Sequence, residues 1–356
     1  MMHDEINLSG QPLTVRLDLL PEAATARRLV LDRTGLEHAP DEIALLGGLE
    51  EVHLDGNQLA TLSPSVLSLS HLRRLSLYGN RLVTLPKDLA RLSELRDLSV
   101  GNNQLRAFPT AVLQLTAVRR LNLAENQIAT IPAEIVGLTQ LRMLDLGHNR
   151  IRELPGEMSG LSALEDALYL SDNLLEHVPE SVFAGMPRLR YLGLTHNPLA
   201  ALPDSIGALT ALEELRLYVN GLRALPDTIG LLANLRELHL QDNRLQTLPE
   251  SLGALTSLRE LVASGNQLTQ LPAAITRLCS LSRLDLRNNP LKELPEEIGE
   301  MQSLTFLDLR AAHLVRLPDS MEGLMRLEKL DLRWTKLRPI PRWLDALQAR
   351  GVRVLL

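Results

Sequence analysis

The sequence has 356 residues, 45% of them apolar and only 3% aromatic, with a formal net charge of −6 and a single cysteine. Such a chain can bury a long aliphatic core, cannot close an internal disulfide, and lacks the basic excess of a general nucleic-acid binder. No run reaches the ~20 uninterrupted apolar residues of a membrane span, and Met1 to Ile6 shows no basic-then-apolar leader, so a reducing, cytoplasmic setting is expected.

Residues 1–25 read as an N-terminal cap. Within them, Ile6 to Leu13 fits a worn repeat with Gln11 in its key polar slot. From residue 26 to 348 one unit recurs about fourteen times. It is marked by Asn57, Asn80, Asn103, Asn126, Asn149, Asn173, Asn197, Asn220, Asn243, Asn266 and Asn289, with Thr34, Ala312 and Thr335 continuing the phase. The spacing is 23 residues, except for 24 on either side of Asn173. Each unit reads L-x-x-L-x-L-x-x-N-x-L-x-x-L-P-x-x-I-x-x-L, as in Leu235, Leu238, Leu240, Asn243, Leu245, Leu248, Pro249, Leu252 and Leu255.

The L-x-L step has the period of a short strand with its leucines turned inward. Strands of successive repeats are expected to stack in parallel about 4.8 Å apart. The Asn side chain, with two donors and an acceptor, suits the turn that leaves the strand and forms a structural ladder from coil to coil. Leu-Pro closes that turn because proline fixes φ and has no N–H to satisfy. The I-x-x-L piece returns along the other side as a 3₁₀ or irregular segment. Residues 349–356, in which Gly351 breaks the pattern before Val352 to Leu356, read as a C-terminal cap strand.

The extra residues fall in Leu164 to Leu168 and in Val182 to Met186. Each reads either as a bulge that re-aims side chains or as an insertion that a surface loop absorbs.

Outward strand positions are the third, fifth and seventh of the motif, and all four tyrosines fall there: Tyr78, Tyr169, Tyr191 and Tyr218. His148, His196 and His239 lie on or beside the same face. Tyrosine buries much area at small entropy cost and carries a hydroxyl. These seven residues are therefore the candidate partner-binding patch, against the alternative that they decorate a solvated sheet.

Leu-Asp-Leu-Arg recurs in register three times, which predicts a column of Asp285, Asp308 and Asp331 beside a column of Arg287, Arg310 and Arg333. This is either a self-neutralising ladder or a strip that recognises a charged partner. Residues 326–356 hold eight basic and three acidic residues and both tryptophans, Trp334 and Trp343. They form a second contact or seal the core.

The 23-residue period with its Leu-Pro step resembles the Ras-group leucine-rich-repeat proteins: animal Ras-pathway scaffolds, plant intracellular relatives and bacterial proteins. The resemblance spans roughly residues 26–348. It implies an α/β solenoid, a leucine-rich-repeat horseshoe with a concave parallel β-sheet and an irregular or 3₁₀ convex side. It also implies a cytoplasmic, non-catalytic scaffold that binds a protein partner on the concave face in signalling or regulation. The alternative is a bacterial effector delivered into the host cytoplasm that binds host signalling proteins. Bacterial effector ubiquitin ligases carry a catalytic cysteine domain after their repeats, whereas here the repeats fill the sequence.

Cys279 has no histidine in motif phase, and neither a Gly-rich phosphate loop nor H-E-x-x-H occurs. The expectation is no enzyme, no cofactor, no metal, no nucleic-acid partner and no membrane span, in a monomeric protein.

Overall fold

The computed structural model describes residues 4–356. The first three residues of the expected 1–25 cap lie outside the described residues. The described chain forms two compact units, one running to Leu174 and the other starting at Leu175. Each is a stack of the same coil, and the solenoid expected from the repeat is the fold that forms.

In the first unit, three-residue strands from Glu5–Asn7 to Ala167–Tyr169 pair in parallel, each with its neighbours in sequence. In the second unit, strands from Tyr191–Gly193 to Arg353–Leu355 do the same. Register follows the motif. Leu238 pairs with Leu215 on one side and Leu261 on the other, and all three are 0% exposed. A slip of one residue would turn these leucines outward and forfeit roughly 2 kcal/mol for each.

Proline ends the descending arm of most coils. Pro226 and Pro249 sit extended at φ −67° and −71° and open the 3₁₀ segments Asp227–Leu231 and Glu250–Ala254. Pro64 instead starts a single turn of α-helix, Pro64–Leu67, because the Ser63 hydroxyl caps it by accepting from the Ser65 N–H. Glycine in these return segments lets coils close: a Cβ on Gly299 would stand 2.0 Å from the Ser320 carbonyl oxygen.

The asparagines hold the turns. Asn243 Nδ2 donates to the Leu240 carbonyl at 3.0 Å and to the Leu217 carbonyl one coil back at 2.9 Å, while its Oδ1 accepts from the Leu222 N–H at 3.1 Å. Asn103 does the same in the first unit with Leu77, Val100 and Leu82. The residue before the Asn slot is left-handed in all fourteen described repeats, with φ from 50° at Asn102 to 69° at Gly79. Only Gly56, Gly79 and Gly265 meet this demand with glycine. Asn102, Asp172, Asp242 and Asn288 adopt it with short polar side chains that tolerate it, whereas Val219 and Trp334 adopt it against their side-chain preference.

The two extra residues have different fates. Ala167 stays in register opposite Met143, so the extra residue bulges at the strand entry and Asp166 is aimed at Arg120, 3.3 Å away. In the other insertion, Val182 and Phe183 are both 0% exposed, so the added residue fills core. The second unit ends in the helix Trp343–Ala349, Gly351 at φ 89°, and the last strand Arg353–Leu355. Trp343 is 9% exposed and donates its indole N–H to Asp319, sealing the end, whereas Trp334 is 73% exposed.

Candidate functional site

Alternation along each strand leaves the third and fifth motif residues facing outward, with the seventh just beyond. The face of each unit is therefore three columns of side chains.

In the first unit the third-position column alternates in sign. It runs Glu5, Arg28, Glu51, Arg74, Asp97 and Arg120, paired in register. Arg28 lies 3.7 Å from Glu5 and 3.5 Å from Glu51, and Arg74 lies 3.5 Å from Glu51 and 3.1 Å from Asp97. Asp166, the bulge residue, extends the alternation past Met143 by pairing with Arg120. The fifth position carries Ser76, Ser99 and Asn122, so the middle of this face is a shallow groove of about 410 Å³ floored by small polar side chains.

Tyr78 is half-buried and lies down rather than standing out. Its ring passes over Gly101, where a Cβ would come within 2.9 Å of it, and its hydroxyl donates to Glu125 at 2.6 Å. Tyr169 is half-buried on its strand. His148 is exposed in the left-handed turn position, 3.5 Å from Asp172. Asp55 and Asp145 sit above the usual aspartate range. Burial is the dominant cause in both, and it outweighs the Ser76 hydroxyl and Tyr78 N–H on Asp55 and the Gly147 N–H on Asp145.

In the second unit the aromatic residues are held by neighbours. The Arg216 guanidinium stands 5.7 Å from the Tyr191 ring centroid and is itself fixed by a bond to Glu214. The His196 ring meets Tyr218 edge-on, with centroids 5.4 Å apart at 85°. His239 Nε2 lies 3.2 Å from Glu237.

Beside His196 a groove of about 540 Å³ is lined by Pro198, Val219, Asn220, Arg223 and Arg244. Here the ladder is interrupted: the buried Asn220 Oδ1 accepts no hydrogen bond. Glu214, Glu237 and His239 bring ligand atoms within 4.8 Å of one another. Arg216 already occupies Glu214, so a cation would have to displace a guanidinium, and the cluster reads as an ion-pair group.

Toward the end of this unit Asp285, Asp308 and Asp331 pair in register, and their side chains are 4%, 1% and 0% exposed. Arg310 Nη2 is 2.6 Å from Asp308 and Arg333 Nη2 is 2.8 Å from Asp331. The carboxylates lie beneath the arginines rather than beside them on the surface. Burial raises Asp285 above the usual aspartate range against the charge of Arg287. Burial opposes the charge on Asp331 too, but the bonds from Arg333 and the charges of Arg333 and Arg310 outweigh it and hold that carboxyl low. Cys279 is an exposed free thiol on the return side, 3.7 Å from the Thr256 carbonyl.

Sequence reasoning placed the columns but not the role of Asp166 or the left-handed slot that exposes Trp334. Glycine in three of fourteen slots was the available signal for the latter.

The leucine-rich-repeat family model matches residues 47–105, 93–151 and 116–166, a leucine-rich-repeat region model matches 168–284, and a further single-repeat match covers 280–301. No curated protein sequence matches the chain significantly. Among solved structures, a leucine-rich-repeat protein of Leptospira interrogans is 32% identical, with 99% of this chain and 89% of that one covered and a TM-score of 0.91. An internalin of Listeria monocytogenes is 23% identical over 88% of each chain, with a TM-score of 0.75. The plant peptide hormone receptor RGFR1 in complex with RGF2 is 24% identical over 94% of this chain and 59% of that one, with a TM-score of 0.74. The last two likenesses are of fold alone. Repeat, register and a 32% identical relative covered over nearly its whole length together make this chain a member of the leucine-rich-repeat proteins.

Proposed function

We propose that the chain is a non-catalytic interaction scaffold whose protein partner docks on the outward face of the strands. The anchors are Tyr191, Tyr218, His196 and His239 in the second unit, and Tyr169, Tyr78 and His148 in the first. The observation that carries this reading is the pre-set geometry of the second-unit aromatics. Tyr191 is held under Arg216 and Tyr218 against His196, so little side-chain freedom is left to lose when a partner covers them.

The 23-residue Leu-Pro repeat supports placement with the Ras-group scaffolds, and with it a regulatory role in a reducing, cytoplasmic setting where Cys279 stays a thiol. Among the described residues no helix is long and apolar enough to cross a membrane. The second reading is a bacterial effector acting on host signalling proteins. It is favoured by the bacterial source of the 32% identical relative.

The test is a pull-down comparing wild type with Tyr191→Ala/Tyr218→Ala. Each truncation is expected to cost about 2 kcal/mol of binding, roughly 30-fold in affinity. Undiminished partner recovery by a folded double variant rejects these anchors. Recovery from host-cell extract but not from the source organism's own extract would favour the effector reading.

A further inference from the structure

The last strands of the second unit present a face unlike any other in the molecule's described residues. Its third-position column reads Arg283, Phe306, Lys329 and Arg353 in register, and the fifth reads Asp285, Asp308 and Asp331. The seventh carries Arg287, Arg310 and Arg333. Six cations thus stand around three carboxylates, and the two kinds of charge lie at different depths. The aspartates are 0–4% exposed, whereas Arg283, Arg287 and Arg333 are 39–43% exposed and Lys329 is 31% exposed.

Asp331 alone is approached by Arg333 at 2.8 Å, Arg310 at 3.5 Å and Lys329 at 3.8 Å. One carboxylate cannot saturate three cations. A guanidinium has five donors in a planar fork, so an edge spent on a buried aspartate leaves other donors facing solvent. The buried acids act as a footing that keeps the basic heads upright at the strand spacing.

Two aromatic surfaces complete the strip. The Arg283 guanidinium lies 4.0 Å and Lys329 Nζ 4.9 Å from the Phe306 ring centroid. Trp334, 73% exposed and fixed in the left-handed slot at φ 62°, lies under Arg333. An approaching ligand meets donors, one open indole and no exposed carboxylate from the fifth column.

We infer that this strip is a docking site for an acidic peptide segment, whose carboxylates bind Arg287, Arg310, Arg333, Lys329 and Arg353 and whose apolar residue covers Trp334. The inference rests on the scaffold reading but uses a different surface from the tyrosine anchors. Its length limits the ligand. One strand further back, the third-position column turns acidic at Glu260, then Glu237 and Glu214. A nucleic-acid backbone, charged at every residue and continuous, would run onto that acidic stretch, whereas a short acidic segment fits between it and the final strand.

The experiment titrates the full chain into a fluorescein-labelled polyglutamate peptide carrying one phenylalanine. Saturable binding is expected, roughly tenfold weaker when ionic strength rises from about 0.05 to about 0.5 M. Arg287→Glu/Arg353→Glu should bind about 100-fold more weakly, and Trp334→Ala about tenfold, a scale set by exposed charge and aromatic contacts at interfaces. Circular dichroism of both variants checks that they fold. Arg277→Glu/Arg326→Glu makes the same charge change at exposed residues outside the three columns and should bind like wild type.

The inference falls if binding does not saturate, or if charge reversal in the strip has no more effect than reversal outside it. It falls too if single-stranded RNA of equal charge binds more tightly than the peptide, or if the strip variants only abolish self-association. The titration reads the strip whether or not the tyrosine variants lose their partner, so the two readings fail separately.

Discussion

The outward face of the first unit and the last strands of the second are built on the same coil, yet they spend their charges in opposite ways. In the first unit acids and bases alternate within one exposed column, so Glu5, Arg28, Glu51, Arg74 and Asp97 neutralise one another at the surface. In the second, acids and bases occupy separate columns, and the acidic one is buried under the basic one. The same residue types give a neutral, grooved surface in one place and a basic, aromatic one in the other. What differs is the motif position at which the acid sits. The third position is solvated, whereas the fifth is roofed by the long side chains of the seventh.

That comparison presumes that the underlying framework is equal in both units. Asn103→Ala and Asn243→Ala remove equivalent ladder bonds, and each should cost about 3 kcal/mol by leaving buried carbonyl and N–H groups unpaired. Urea denaturation would show the two losses to be alike. A loss confined to one unit would mean that the faces differ because their frameworks do. Asn220→Ala, with Oδ1 already unpaired, should cost about 1 kcal/mol less.

The charge arrangement itself is tested by Arg310→Ala against Arg74→Ala. Removing Arg310 leaves Asp308, 1% exposed, without its guanidinium and should cost about 2 kcal/mol, a figure reduced because the outer edge of the arginine is solvated. Removing Arg74, 43% exposed, should cost less than about 1 kcal/mol. Equal losses would erase the distinction between a buried footing and a surface ladder. A smaller effect, about 1 kcal/mol of added stability, is expected for Val219→Gly, because a β-branched residue at φ 56° is strained where glycine is not.

The finest test is pH dependence. Asp145 is raised by burial, so the folded chain holds its proton more tightly than the unfolded chain. Its contribution to stability declines as pH climbs from the ordinary aspartate value of 3.8 through the raised folded one. Asp331 is lowered on balance, so its contribution is present above 3.8 and is lost as pH falls through the folded value. Asp145→Asn should therefore raise the melting temperature at pH 7 and Asp331→Asn should lower it. Both differences should close in acid, as thermal scans across pH would show.

Much of this was legible in the sequence because a solenoid repeats its demands. Each Leu, Asn and Pro is required again 23 residues later, so period alone placed the strands, and register alone placed Asp285, Asp308 and Asp331 in one column. What could not be read was depth and direction. Nothing in Leu-Asp-Leu-Arg says that the arginine folds back over the aspartate. Tyr78 and Tyr218 share a motif position, but Gly101 lets the first lie flat toward Glu125 while the second stands against His196. Trp334 and Trp343 are nine residues apart and have opposite fates, one projected from a left-handed slot and the other at the start of a capping helix with its N–H on Asp319. Asp166 owes its place in the surface ladder to a single extra residue whose direction only the backbone reveals.

The most direct test of the interaction face is photocrosslinking of the captured partner from a photoreactive phenylalanine analogue placed at Tyr191 or Tyr218, compared with the same analogue at Leu231, which is 60% exposed on a return segment. Adducts from Tyr191 and Tyr218 with none from Leu231 are the predicted result. Adducts from Leu231 alone would put the partner on the other side of the coils and contradict the account.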